Sequence, residues 1–339
     1  MTNNSHPYRA TILPVADSTI RPLWSVMIPT YNCAHYLRET LASVLAQDPG
    51  SDVMQIEVVD DHSTKDDPQA VVEELGRGRV GFYRQPQNMG YIKNFETCLQ
   101  RSCGRLVHLL HGDDCVRHGF YQKLQQAFEK NPEVGAAFCR YILMDEYDHW
   151  QVISPLEQPE SGILNNWLER MAIRQIIQTP SIVVRREIYE KLGGFDRRIS
   201  CNGEDWEMWV RIASRHPIWY EVEPLALYRL SSTSLSGKAR RTGENIRDLR
   251  TVIRLNKQHL PEEQANHISA KALRFYAFEA IDDAKRFIAR GEVSATIAQI
   301  LEAIRCHPSL EVIRPSTKLF LQLMLKALVS KINLGFLSL

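Results

Sequence analysis

The chain has 339 residues, 44% of them hydrophobic and 24% charged, with a formal net charge of +1. Such a composition is that of an ordinary globular protein, long enough for one large domain or a domain with an appendage. The near-neutral balance excludes a global field drawing the chain to nucleic acid, so any anion site has to be local.

The seven cysteines are scattered and show no CxxC spacing, which points to free thiols in a reducing compartment rather than disulfides or zinc. Residues 1–22 read as a loose polar leader without the basic-then-apolar layout of a secretory signal. No stretch approaches the roughly 20 apolar residues that span a bilayer. A cytoplasmic setting is therefore expected.

From Trp24 the pattern sharpens. Trp24–Ile28 is a short strand expected to stop at Pro29, which cannot donate to a ladder. Tyr36–Leu45 spaces its apolar residues for a helix, and Gln55–Val59 is a second strand ending at Asp60-Asp61. Residues 68–76 read as helix, 80–84 as strand, 94–101 as helix and 106–110 as a strand stopped by Gly112-Asp113-Asp114. Beyond 130 the alternation weakens: strand at 134–144, a helix-rich connection at 160–178, strand at 181–184 and helix at 186–192. Gly203-Glu204-Asp205 then opens a helix carrying Trp206 and Trp209. Residues 240–339 keep helical periodicity, with breaks at Pro261, Gly291, Pro308 and Pro315.

Strand and helix in alternation imply crossover connections and a largely parallel sheet covered on both faces. Ligands of such sheets sit at the carboxyl ends of the strands. Pro29-Thr30-Tyr31-Asn32, Asp60-Asp61 and Asp113-Asp114 are thus expected on one rim.

Each polar corner has a chemical reading and a plain one. Two adjacent carboxylates at Asp113-Asp114 repel unless a cation compensates, and hard ions such as Mn2+ or Mg2+ are held by one or two carboxylates plus substrate phosphates. Gly-Asp-Asp is also ordinary turn chemistry. A carboxylate of Asp60-Asp61 could accept from a nucleobase or a ribose hydroxyl, or the pair could merely form a turn or cap a helix. One acid of Glu204-Asp205 could be a general base, with Trp206 and Trp209 desolvating it or stacking on a sugar face; equally, both acids could cap a helix.

Taken in order, these corners resemble a known pattern. Val26–Asn32 followed by Val58–Ser63 is similar to the opening of the family 2 glycosyltransferases of GT-A fold. Asn88-Met89-Gly90 and Gly104–Asp114 resemble that family's central segment and its DxD-type metal motif. Gly193–Asp196 and Gly203–Trp206 resemble its GGFD and ED motifs. The resemblance covers about 23–236 and leaves 237–339 as a helical C-terminal region.

It implies a GT-A nucleotide-diphospho-sugar transferase fold: an α/β, Rossmann-like, mixed and mostly parallel sheet with a helical appendage. It implies inverting transfer from a nucleotide-diphospho-sugar, a UDP-sugar favoured, to a saccharide or lipid-linked acceptor in bacterial surface polysaccharide (O-antigen type) assembly. Pro29, Thr30 and Tyr31 would line the nucleotide pocket, Asp61 would meet the base, and Lys93 would lie near the nucleotide. Asp113 would contact ribose or donor sugar, Asp114 would ligate the metal, Glu204 would bind hydroxyls and Asp205 would be the base. Tyr228-Arg229 is followed by serines where many relatives carry a histidine, which leaves phosphate contact to Arg229. A nucleotidyltransferase, or a sugar- or lipid-binding module on the same fold, are the rival readings. Pro29–Asn32 in place of a glycine-rich basic loop argues against the first.

Residues 318–339 are leucine-rich with lysines at 318, 326 and 331. They suit a helix lying peripherally in a membrane interface, or one packed on the catalytic domain or a homodimer partner.

Overall fold

A computed structural model of the chain describes residues 6–16, 20–231 and 234–336, from 326 onward by backbone alone. It divides into two compact units. The first comprises Met1–Leu168, Ile176–Arg198 and Asp205–Ser231, the second Glu169–Gln175, Ile199–Glu204 and Ser232–Leu339.

The chain opens with β1 (Trp24–Thr30), α1 (Ala34–Leu45), β2 (Met54–Asp60), α2 (Pro68–Gly76), β3 (Gly81–Arg84), α3 (Tyr91–Arg101) and β4 (Leu106–Leu109). It continues through β5 (Cys115–Val116), α4 (Phe120–Lys130), β6 (Ala136–Met144), β7 (Trp150–Ile153), β8 (Gly162–Ile163) and α5 (Trp167–Ile173). A 3-10 turn at Thr179–Ser181 leads to β9 (Ile182–Arg185), α6 (Arg186–Leu192), α7 (Glu204–Ala213) and β10 (Ile218–Arg229).

The main sheet runs β3-β2-β1-β4-β9-β6-β10-β5, with β7 on β6 and β8 on β10. β3, β2, β1 and β4 are mutually parallel, while β9 is antiparallel to both β4 and β6. The sheet is therefore mixed, with the expected crossover units at one side. β1 is buried along its whole length, which is why it reads as a continuous apolar run rather than an alternating one. Leu37, Leu41 and Val44 of α1 and Phe120 and Leu124 of α4 pack with Val26, Ile28, Ile56 and Val58 in one core. α2 starts where its sequence says it must. Asp67 accepts from the N–H groups of Gln69 and Ala70, Pro68 occupies the first turn, and Arg77 ends the helix at φ 45°.

Several elements differ from the sequence expectation. β1 runs through Pro29, because at that point the ladder towards β4 needs only the Pro29 carbonyl, which accepts from Gly112 N–H at 3.0 Å. The 160–178 connection holds only α5 as helix, beside β8. The leader's described residues are not loose: Ala10 and Ile12 are buried, and Arg9 pairs with Asp196 and Glu207 at 3.3 and 3.0 Å.

The second unit is helical: α8 (Leu235–Thr242), α9 (Glu244–Asn256), α10 (Glu262–Ala289), α11 (Val293–Cys306) and α12 (Leu310–Phe336). α10 packs on α9, α11 and α12, and α11 on α8. Asp248 of α9 anchors the 199–204 segment by accepting from the N–H groups of Ser200 and Cys201 at 3.1 and 2.7 Å. Pro315, an expected break, lies inside α12, in its second turn. The three residues 337–339 of the leucine-rich tail lie outside the described residues, as do 1–5 and 17–19 of the leader.

Candidate active site

Two backbone hydrogen bonds sew the predicted loops together at the carboxyl edge of the parallel strands. Asp61 N–H donates to the Thr30 carbonyl at 2.9 Å, and Gly112 N–H to the Pro29 carbonyl at 3.0 Å. Since β1 lies between β2 and β4, the corners after all three strands meet within neighbouring strand spacings of about 5 Å. Gly112 lets the two corners approach closely: a Cβ there would stand 2.9 Å from Thr30 Oγ1 and 3.2 Å from Cys33 Sγ, so those side chains would have to shift.

Pro29 and Thr30 are buried inside β1, so of the first loop Tyr31, 46% exposed, is the side chain that faces outward. Asn32 and His62 take left-handed backbone, φ 51° and 63°, and lock the two loops together. Asn32 N–H donates to Ser63 Oγ, while Asn32 Oδ1 accepts from the N–H groups of Thr64 and Lys65.

The Asp60-Asp61 pair divides its labour. Asp60, fully buried, accepts from Ser63 N–H and Oγ and from Arg84, so it builds the turn. Asp61 accepts from the N–H groups of Met89 and Gly90 at 2.7 and 3.0 Å and hangs the 88–90 turn, and hence the start of α3, from the rim. Burial raises its pKa against the pull of those two donors. Lys93 stands exposed on the first turn of α3.

The densest chemistry is at the β4–β5 corner. One ligand atom each from His111, Asp113 and Asp114 lies within 4.8 Å of the others. Asp114 is 1% exposed; its Oδ1 accepts from Arg229 N–H at 2.9 Å, and its Oδ2 has no hydrogen-bond partner, with His111 Nδ1 3.6 Å away. Burial, then the neighbouring Asp113, push the Asp114 carboxyl well above its usual range. Burial lowers the pKa of His111, favouring the neutral imidazole, and its ring stacks on Phe95 at 4.9 Å. An orphaned buried carboxylate oxygen is costly unless a cation meets it. Two carboxylates and a neutral imidazole suit a divalent ion, so the residues present fit a DxD-like metal site.

Asp205, 7% exposed, opens α7 together with Glu204 and accepts from Thr179 Oγ1 at 3.2 Å. Thr179 begins the 3-10 turn before β9. Because β9 runs antiparallel to β4, this turn lies at the carboxyl edge of β4, against both β4 and β5. Thr179 thereby draws Asp205 to the side of the sheet that bears Asp113-Asp114.

Two expectations need correction. Trp206 is 1% exposed, so no ring face is open to a sugar; it faces the core because it lies on the apolar stripe of α7 with Trp209 and Val210. Arg229 does not reach outward to a phosphate. Its side chain is 1% exposed, donates to the Asp113 carbonyl at 2.9 Å, pairs with Glu39 at 2.7 Å and with Asp148, and lies over the Tyr36 ring at 4.2 Å. It clamps the acidic corner from behind.

His111 was not among the residues singled out above; its place directly before Gly112-Asp113-Asp114 is the one signal for it in the sequence. Thr179, Tyr36, Glu39 and Asp148 carry no signal in the sequence, since each becomes relevant only through long-range contact.

Comparison with known proteins agrees with this architecture. A family profile described as Glycosyl transferase family 2 matches residues 25–193. The putative teichuronic acid biosynthesis glycosyltransferase TuaG of Bacillus subtilis is 26% identical over 64% of this chain and 82% of its own length. S. aureus TarS, solved with UDP-GlcNAc, superposes with a TM-score of 0.61 at 17% identity, covering 84% of this chain and 81% of that one. The mannosyltransferase PcManGT of Pyrobaculum calidifontis, solved with GDP-Man and Mn2+, gives 0.53 at 18% identity over 89% of each chain. With the GT-A-type sheet, its carboxylate rim and the matched profile in hand, the chain belongs to glycosyltransferase family 2 and is a transferase enzyme.

Proposed function

We propose that this enzyme transfers a sugar, with inversion, from a nucleotide-diphospho-sugar to a hydroxyl of a saccharide or lipid-linked saccharide in bacterial cell-surface polysaccharide assembly at the cytoplasmic face of the membrane. The observation that carries the reading is Asp114 Oδ2, buried and without a hydrogen-bond partner beside Asp113 and His111. Asp114, with His111 in reach, would hold Mn2+ or Mg2+. Such an ion, when bound, neutralises charge on a leaving diphosphate. Asp113 would hydrogen-bond donor hydroxyls. Tyr31, at the exposed end of β1, would cover the nucleotide, with Pro29 and Thr30 forming the pocket floor. Asp61 would meet the base through the carboxylate lone pairs that Met89 and Gly90 leave open, and Lys93 would sit near the diphosphate.

Asp205 is assigned as the base that takes the proton from the acceptor hydroxyl, oriented by Thr179, and Glu204 would bind hydroxyls next to it. TarS with UDP-GlcNAc and PcManGT with GDP-Man support a nucleotide-sugar donor, and TuaG supports a polysaccharide setting. The UDP-sugar is the favoured donor class.

A panel of UDP-, GDP- and TDP-sugars, assayed for Mn2+-dependent hydrolysis and for protection against thermal unfolding, tests the reading. One nucleotide class should stabilise the protein in a metal-dependent way. Asp205→Asn should lower turnover by about 10²- to 10⁴-fold while leaving nucleotide protection unchanged. Protection by no nucleotide-sugar would sink the donor assignment, and parent-like turnover in the Asp205 variant would remove the base role.

A further inference from the structure

α12 is a helix with two apolar faces. Val312, Leu319 and Leu323 are at most 6% exposed on the side turned to α10 and α11. On the other side Leu310, Ile313, Phe320, Leu321, Met324 and Leu325 are 37% to 67% exposed, at the three- and four-residue spacing of a single stripe. A surface helix normally places polar residues there. An apolar stripe of this length on the outer face, interrupted only by Arg314 and Thr317, marks a docking surface.

The charge around the stripe says what docks. Arg314 and Lys318 are exposed along one edge and carry no ion pair among the described residues. The sole carboxylate of α12, Glu311, is held by Arg274 at 2.8 Å. From 318 to the end the sequence has lysines at 318, 326 and 331 and no aspartate or glutamate. A second copy of the chain related by two-fold symmetry would bring this cationic edge against itself, and the one acid of α12 beside it, Glu311, is already held by Arg274. No helix of the described residues is long and apolar enough to cross a membrane.

We propose that the outer face of α12 docks on an anionic phospholipid bilayer. The leucine stripe lies in the interfacial plane, and Arg314 and Lys318 meet the lipid phosphates. This inference stands on the second unit alone and does not depend on the transfer reaction.

Cosedimentation of the full chain with vesicles tests it, using phosphatidylcholine alone or phosphatidylcholine with about 30% phosphatidylglycerol. The chain should pellet with the anionic vesicles, bind neutral ones roughly tenfold more weakly, and be released at ~0.5 M NaCl. Leu321→Glu with Leu325→Glu should abolish pelleting without changing the circular dichroism spectrum or the melting temperature, since both positions are exposed. Arg314→Glu with Lys318→Glu should weaken binding to anionic vesicles roughly tenfold and leave binding to neutral ones unchanged. Absence of pelleting with anionic vesicles overturns the proposal. So does a stable dimer in light scattering that the leucine substitutions dissociate, which would assign the stripe to a second copy.

Discussion

Asp114 illustrates how the fold holds one residue in a costly state. Its Oδ2 is buried, unpartnered and close to a second carboxylate, so the metal-free fold gains nothing from its charge. Asp114→Asn should therefore abolish metal-dependent turnover and yet raise the melting temperature of the metal-free protein, a trade-off read by calorimetry in a chelator. A lowered melting temperature would mean that the carboxylate is a structural member instead. Arg229 is its counterpart. It gives its N–H to Asp114 and its guanidinium to Asp113 O, Glu39 and Asp148. Arg229→Lys keeps the charge but cannot span these partners at once. It should cost about 1–3 kcal/mol of stability and weaken Mn2+ binding, measured by titration calorimetry, without altering which nucleotide is preferred.

At the scale of elements, the close approach of strands leaves no room for certain side chains. A Cβ on Gly104 would stand 2.4 Å from the Trp24 carbonyl carbon and 2.5 Å from Ser25 N, both backbone atoms that pair with the sheet. At Gly112 the nearest atoms are the Thr30 side chain and Cys33 Sγ, at 2.9 Å and beyond, which can rotate away. Gly104→Ala should then cost about 3 kcal/mol or more, whereas Gly112→Ala should cost about 1 kcal/mol and act chiefly on the acidic corner. Equal losses in a chemical-denaturation series would show that the β1–β4 approach is looser than the structure has it. The same elements show why strand ends were legible and connections were not. β1, β2 and β4 announce themselves by short apolar runs leading into Pro, Asp-Asp or Gly-Asp-Asp, although β1 itself continues through Pro29. β5, β7 and β8, two to four residues long, owe their existence to neighbours that sequence periodicity does not describe.

For the whole molecule, the described leader ties into the first unit through a buried charge cluster. Asp196 is pushed up by burial, but the Arg198 side chain and N–H outweigh it and hold the carboxyl below its usual 3.8, and Arg9 of the leader pairs with the same carboxylate. A carboxylate depressed in the fold stabilises it above the unfolded pKa, and that contribution is lost as pH falls through the lower folded value. Asp196→Asn should therefore narrow the stability difference between neutral pH and pH below about 4, followed by thermal melts across that range. An unchanged acid limb would show that Asp196 does not report on the cluster.

By itself the sequence determined the crossover units and the order of the polar corners, because strand and helix periods and the turn residues after each strand are local properties. The carboxylates Asp61, Asp114 and Asp205 could be named for the same reason: each lies at a break that local chemistry makes visible. Tertiary structure alone decided what each one touches. It turned Trp206 into the core and Arg229 inward, brought Thr179 to Asp205 across the antiparallel β9, and set His111 beside Asp114. Burial and hydrogen-bond partners depend on residues distant in the chain, and no local pattern encodes which strand will lie alongside which.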